Sequence, residues 1–374
     1  MDIEENKDLD LQDIAERFRT SGRVKQVFPF GSGHINDTFK VISTDKSYLL
    51  QRVNQHVFMD VRGLTSNLIR VVNYLFTLIE NKPGQMQVLI PVRTTHGNYF
   101  YVDEEAGFWR MFDFVEGAKS VDRAEGVEIA EEGGKAFGWF IKNLEKFPIA
   151  SLGETISGFH NAASRLETFR KSVTLDRKGR VEEVKEEIQF LEERAQEMMR
   201  IHELGQEGKI PTRVVHNDTK INNVLFDHNN KAICVIDLDT VMPGYVLHDF
   251  GDAIRTFTNK ADEDEKEHSN IDVNLEFFRA FAEGFLSETL EMLNPSEIEN
   301  LAFSAKYVTW EQAVRFLTDY LKGDLYYKTS YPEHNLVRAR AQIWLLERME
   351  NRFNEMETII HEVVEQKKTQ NQPN

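Results

Sequence analysis

The chain has 374 residues, enough for two lobes each with its own core. Its 62 acidic against 45 basic side chains give a formal net charge of −17, which argues against nucleic acid or an anionic membrane as partner, since both need basic surface. The opening Met1-Asp2-Ile3-Glu4-Glu5 has neither a basic n-region nor an apolar h-region, and no apolar run approaches membrane-spanning length, so a soluble cytoplasmic protein is expected. From Leu9 to Arg19, Leu11, Ile14, Ala15 and Phe18 fall at helical spacing and predict a short amphipathic helix. Val24–Phe30, Thr38–Ser43 and Tyr48–Val53 then read as three strands. Leu64–Glu80 reads as a helix with Leu64, Leu68, Val71, Val72, Leu75 and Ile79 on one face. Val88–Pro91, Tyr99–Val102 and Phe108–Phe112 supply further strands. Beyond them Ile129–Leu144 is helical, and Val181–Leu204 predicts one long helix whose charges are a solvated face. Ala261–Glu267 reads as an exposed loop or helix start. Asn294-Pro295-Ser296-Glu297 combines an N-cap, Pro at the first helical position and Glu at the third. The helix it opens is expected to run through Trp310, Arg315 and Tyr320 to Gly323. A last long helix begins near Asn335, with a frayed tail from Lys367 to Asn374.

The most informative stretch is His216-Asn217-Asp218-Thr219-Lys220-Ile221-Asn222-Asn223, followed by Val235-Ile236-Asp237-Leu238-Asp239. Arg213–Val215 and Ala232–Ile236, flanking the polar Asp227-His228-Asn229-Asn230 turn, read as a hairpin. Asp218, Asn223 and Asp237 are then expected to project from strand ends towards one point. Phosphoryl transfer from a magnesium nucleotide requires this set: one carboxylate for the acceptor's proton, and an amide and a second carboxylate for Mg²⁺. Lys220, two residues past the base, can neutralise the γ-phosphate in the transition state. His216 is expected to brace the loop. Asp239 is either a metal-shell or a tethering residue, and Asp249 an N-cap or a loop tether. Cys234, inside the second strand, reads as an inert small hydrophobe.

The N-terminal elements follow the order of a kinase nucleotide lobe. Phe30-Gly31-Ser32-Gly33-His34-Ile35-Asn36-Asp37-Thr38 is a glycine-bearing turn in which Gly31, Ser32 and Gly33 let backbone N–H groups approach phosphates. His34 and Asp37 offer hydrogen bonds suited to a polyhydroxylated acceptor, although Asn36 and Asp37 serve equally as turn formers. The third strand has Gln51 and Arg52 where a protein kinase has its Lys. Arg52 either replaces that cation or is a solvated surface residue. Asp113-Phe114-Val115-Glu116-Gly117 reads as the hinge, with Asp113 and Val115 offering backbone groups to an adenine. The metal Asp is followed by Leu238-Asp239, not Phe-Gly, and there is no Ala-Pro-Glu segment, which favours a small-molecule acceptor over a protein. The expected architecture is α+β, a bilobal protein-kinase-like fold. It has an antiparallel-sheet lobe over residues 1–115 and a mainly helical lobe over 116–374.

His216–Asn223 with Asp237 resembles the aminoglycoside phosphotransferase and choline kinase superfamily. More closely, the chain resembles the N-acetylhexosamine 1-kinases. The shared stretches are Phe30–Asn36, His216–Lys220, Ile236–Gly244, Asp249–Arg255, Arg315–Asp324 and Tyr331–Arg338. The resemblance implies transfer of the γ-phosphate of ATP to the anomeric hydroxyl of N-acetylglucosamine or N-acetylgalactosamine. It places the base at Asp218, Mg²⁺ ligands at Asn223 and Asp237, and sugar contacts at His34, Arg315 and Tyr326. Read without it, Arg315 would pair with Asp319 one turn on and Tyr326 would pack in the core.

Overall fold

Period-two apolar patterning builds the N-terminal sheet. The protein is seen here as a computed structural model that describes residues 11–31, 35–80 and 86–370. Its first elements are α1 (Leu11–Glu16), β1 (Val24–Pro29), β2 (Asp37–Ser43), β3 (Ser47–Val53), α2 (Val61–Ile79), β4 (Pro91–Val92), β5 (Tyr101–Val102) and β6 (Phe108–Asp113). The strands pair antiparallel in the order β1-β2-β3-β6-β4, with β5 also on β6. In the β3–β6 ladder Leu50 faces Met111 and Gln51 faces Arg110. Tyr48, Leu50, Trp109 and Met111 therefore share one face, where they meet Ile14, Phe18, Val24 and Val41 in a single core. Gln51 and Arg110 share the other. The strand expected over Val88–Pro91 is displaced to Pro91–Val92, which face Phe112 and Met111 of β6, while Ile90 reaches β6 through its carbonyl on the Asp113 amide.

Helices dominate the rest: α3 (Val127–Asn143), α4 (Ala162–Leu175), α5 (Lys185–Met198) and α6 (Arg200–Gln206) come first. β7 (Arg213–Val215), β8 (Val224–Phe226), β9 (Ala232–Val235) and β10 (Met242–Gly244) follow, then α7 (Val246–Phe257), α8 (Leu275–Thr289), α9 (Pro295–Glu299), α10 (Leu301–Lys322), α11 (His334–Asn351) and α12 (Phe353–Gln370). The chain divides into two units, Met1–Val72 with Leu89–Gly117 and Asn73–Val88 with Ala118–Asn374. In the second, α3 and α8 touch backbone to backbone. A Cβ on Gly134 would meet the carbonyl of Phe281, and one on Gly284 that of Glu131. No helix among the described residues is long and apolar enough to cross a membrane.

Several local expectations are corrected by pairing at a distance. The hairpin is β8 with β9, whereas Arg213–Val215 pairs with Met242–Gly244. The apolar run before the catalytic segment thus closes on a strand after it. The 181–204 helix is interrupted at Met199, whose amide bonds three residues back to Gln196. The Asn294 helix stops at Asn300, which turns its side chain onto the Ser296 carbonyl at 2.7 Å, and α10 restarts at Leu301. The last helix is likewise two, divided at Arg352, and remains helical to Gln370. The acidic Ala261–Glu267 run is tied down: Glu263 meets Arg255 at 2.9 Å and Asp264 meets His334 at 3.1 Å.

Candidate active site

The His216–Asn223 segment is a polar loop held from three sides. It leaves β7 at His216, whose side chain is buried, and Asn217 takes a left-handed turn with φ 63°. Asp249 on α7 accepts the His216 and Asn217 amides, one per carboxylate oxygen, at 2.7 Å each. It therefore tethers the loop and does not cap the helix, whose N-cap is Tyr245. Burial pushes its carboxyl up to about 7, against the pull of those two donors. From the other side Thr240 donates to the His216 carbonyl at 2.7 Å and accepts the Asn217 side chain on its own carbonyl at 2.9 Å. His216 braces as expected: its Nε2 is 2.9 Å from the Ile236 carbonyl, and its Nδ1 faces the Asp218 amide at 3.3 Å. Burial keeps this imidazole neutral, below its ordinary value.

Asp218, Lys220 and Asn223 meet on that frame. Asn223 donates through Nδ2 to both the carbonyl and Oδ2 of Asp218, at 2.8 and 2.9 Å. Lys220 Nζ lies 2.9 Å from Asp218 Oδ1, and both side chains are partly exposed. Burial would raise the Asp218 carboxyl, but the Lys220 ammonium outweighs it and holds the group below the usual carboxylate range. Lys220 is correspondingly raised against the same burial, by Asp218 first and then by Glu263 and Asp252. Asp237 sits in the left-handed region, φ 58°. It directly follows Ile236, whose amide bonds the Asn223 carbonyl at 2.9 Å and whose carbonyl bonds His216. One residue, Ile236, thus ties the start of Asp237 to both halves of the loop. Cys234, on β9, is buried, which pushes its thiol up to about 12 and leaves it inert.

A cavity of about 300 Å³ opens in the same unit, lined by Arg165, Arg315, Thr318, Asp319, Tyr326 and Tyr327 among others. Arg315 and Tyr326, far apart in sequence character, are brought together here. Arg315 does not pair with Asp319: its guanidinium donates to Gln312 at 3.0 Å and lies over the Phe159 ring at 4.7 Å. Asp319 instead accepts the amides of Leu325, Tyr326 and Tyr327 and the side chain of Asn335. Tyr326 is 43% exposed and is not a core residue. The cavity connects to the catalytic loop through Phe159-His160. His160 Nε2 is 3.4 Å from the Asn217 carbonyl, and its Nδ1 is 2.6 Å from Glu311, one turn before Arg315 on α10.

In the sheet unit Gly31 has φ +77°, a conformation that favours glycine. Ser32, Gly33 and His34 lie outside the described residues. Asp37 opens β2 opposite Arg52. Arg52 lies 3.8 Å from Glu105 and is a third exposed. The buried guanidinium is Arg110, which forks onto Gln51 Oε1 at 2.8 and 3.0 Å. Asp113 carries Lys46 at 2.7 Å on its carboxylate, and its amide is taken by the Ile90 carbonyl. The Phe114 amide goes to Ser47, so of the two hinge candidates Val115 keeps its amide clear of the sheet ladder.

Residues 27–285 match the phosphotransferase enzyme family. The chain belongs to that family. In fold it is similar to an aminoglycoside phosphotransferase from Alicyclobacillus acidocaldarius subsp. acidocaldarius DSM 446, at TM-score 0.63 and 11% identity over 94% of this chain and 96% of that one. It is also similar to a microcompartment-associated aminopropanol kinase, at TM-score 0.59 and 13% identity over 92% and 97%. A spectinomycin phosphotransferase in complex with ADP and spectinomycin aligns at TM-score 0.54 and 14% identity over 94% and 97%.

In this phosphotransferase a cation site would be small. Among the described residues no group of three or more His, Cys, Asp or Glu side chains could hold a metal by itself. Mg²⁺ needs less, since nucleotide phosphates and waters complete its shell. With both Nδ2 hydrogens of Asn223 spent on Asp218, its Oδ1 is the atom suited to such a cation. Arg165, His160 and Glu311 went unread in the sequence. Arg165 lies on α4, a helix of weak amphipathicity, and the pairing of His160 with Glu311 spans 151 positions.

Proposed function

We propose that this phosphotransferase uses Mg-ATP to phosphorylate the anomeric hydroxyl of an N-acetylhexosamine, N-acetylglucosamine or N-acetylgalactosamine. The observation that carries the reading is the charge of the acceptor cavity. Arg165 and Arg315 stand close enough that burial and the Arg315 charge both lower Arg165, and Lys322 is also on the wall. The one carboxylate on its wall, Asp319, is taken by three amides and an asparagine, and Glu311 and Asp252, which also act on Arg315, are paired with His160 and Arg255. Protonated amines, which the named aminoglycoside and aminopropanol enzymes accept, would meet like charge in such a pocket. An acetylated amino sugar is neutral and presents carbonyl and hydroxyl oxygens to guanidinium donors. The motif blocks resembling N-acetylhexosamine 1-kinases point the same way.

In this reading Asp218 orients the anomeric hydroxyl and takes its proton as the oxygen attacks the γ-phosphorus and the bond to ADP breaks. A hemiacetal hydroxyl is more acidic than an ordinary alcohol, so a carboxylate held low by Lys220 suffices. Lys220 bridges base and phosphoryl group and offsets the charge that develops on the transferring oxygens. Asn223 and Asp237 would hold Mg²⁺, which supplies charge neutralisation on the phosphates. His34, Asp37, Arg315 and Tyr326 would contact the sugar. Gly31, Ser32, Gly33 and Val115 would contact the nucleotide through the backbone, and Arg110, better buried than Arg52, would be the sheet's phosphate cation. Phosphorus NMR of the product from ATP, Mg²⁺ and each sugar tests the reading. An anomeric phosphate signal split by its sugar proton is expected. ATP turnover with aminoglycosides or amino alcohols, and none with either sugar, would overturn it.

A further inference from the structure

Asp252 lies on α7 one turn beyond Asp249, on the face that carries the catalytic loop. It is 5% exposed. Its two carboxylate oxygens are used unequally. Oδ1 receives both Nε and an Nη of Arg255, at 3.0 and 2.8 Å, while Oδ2 is buried and has no hydrogen-bond partner among the described residues. Arg255 is in turn fixed by Glu263 at 2.9 Å and by Gln342 at 3.4 Å, so it is not free to swing across to the second oxygen. The charge of Asp252 favours the protonated forms of both Lys220 and Arg315, so it stands within electrostatic reach of both. Buried carboxylate oxygens without donors are rare and costly. One placed beside a site for a polyhydroxylated molecule has an evident donor.

We propose that Asp252 is a specificity-determining residue of the acceptor site, with Oδ2 accepting a hydrogen bond from one ring hydroxyl of the sugar. The inference rests on the neutral-sugar reading above and adds a contact that the motif itself does not name. Arg255 supplies the rigidity: by occupying Oδ1 it fixes the direction in which Oδ2 points, so that one hydroxyl position is read. A site built to hydrogen-bond a hydroxyl discriminates strongly against the analogue lacking it, because the protein oxygen is then left unpaired.

The test is steady-state kinetics of wild type and Asp252→Asn with N-acetylglucosamine and its 3-, 4- and 6-deoxy analogues, with ADP affinity and thermal unfolding confirming that the variant is folded. Wild type should lose about 10²-fold or more in kcat/KM on one deoxy analogue and clearly less on the others. Asp252→Asn should fall by a similar factor on the parent sugar, mainly through KM, and lose discrimination against that same analogue. If the Asn variant does not fold, Asp252→Ser, which leaves room for a water, carries the same comparison. An unchanged deoxy profile in a folded variant, or an even response to all three analogues in wild type, overturns the role of Asp252 while leaving the sugar kinase reading standing. No phosphorylation of any N-acetylhexosamine by wild type removes the sugar reading and this inference with it.

Discussion

Asp218 illustrates how the site trades basicity for positioning. Both of its oxygens are engaged, by Asn223 and Lys220, and its carboxyl is held below the ordinary range, so in the proposed reaction its main contribution would be to aim the acceptor. Asp218→Asn should lower kcat by about 10²–10⁴-fold with ADP affinity and fold retained. Near-normal turnover in that variant would remove it from the catalytic role. Asp249 acts one step back. Asp249→Asn keeps one acceptor but turns an NH₂ towards the second amide, and should cost about 1–3 kcal/mol in unfolding free energy together with a fall in kcat. Urea unfolding and initial rates measure both. In the sheet, Arg110→Gln should raise the KM for ATP more than Arg52→Gln does, because Arg110 is buried on Gln51 whereas Arg52 is pinned only loosely by Glu105.

At the scale of elements, stability depends on contacts that tolerate little change. The α3–α8 crossing brings glycine Cα atoms against carbonyl oxygens, and a methyl group there must separate two helix backbones. Gly284→Ala is expected to destabilise by about 1–3 kcal/mol, read as a lower urea midpoint with unchanged m-value. Glu297 serves two elements at once: it closes the capping box with Asn294 and binds Arg213 at 2.8 Å at the start of β7. Glu297→Gln would preserve the cap but leave Arg213 half-paired in a buried setting, a loss on the order of 3 kcal/mol. The N-terminal strands and α9 follow from local patterning and capping. The breaks at Met199, Asn300 and Arg352 do not, because propensity continues across them; at Asn300 a side-chain hydrogen bond onto the Ser296 carbonyl marks the stop.

The whole molecule should be sensitive to mild acid. His216 and His248 are both buried and held below their ordinary value by that burial. Below the unfolded histidine value of about 6.5 the unfolded chain takes up protons that the native state refuses, so stability falls as pH falls. Each group contributes up to about 1.4 kcal/mol per pH unit until its folded value is reached. Asp249, raised to about 7 in the fold, takes up its own proton in the same range and offsets part of that loss, so urea midpoints should drop modestly between pH 7.5 and 5.5, and His248→Gln should flatten the slope. In Asp249→Asn, which removes that offset, a midpoint independent of pH in this window would show that neither imidazole is held neutral. Asp218 is held below the usual carboxylate range, so a fall in activity between pH 7.5 and 5.5 should not come from protonation of the base.

The sequence by itself determined what short spacing encodes: the antiparallel sheet, the glycine turn, and the loop in which Asp218, Lys220 and Asn223 lie within six positions of one another. Those residues meet because one loop cannot place them far apart. Tertiary structure alone decided that β7 pairs with β10 and not with β9, that Asp249 clamps the loop, and that Arg165, Arg315 and Tyr326 share a cavity to which His160 leads. Each of these joins segments tens of residues apart, where the energy comes from burying two surfaces together and neither surface carries a local sign of its partner. Asp252 shows the difference most sharply. In sequence it is one acidic residue among 62, and only the packing of α7 and the fork of Arg255 give its second oxygen a direction.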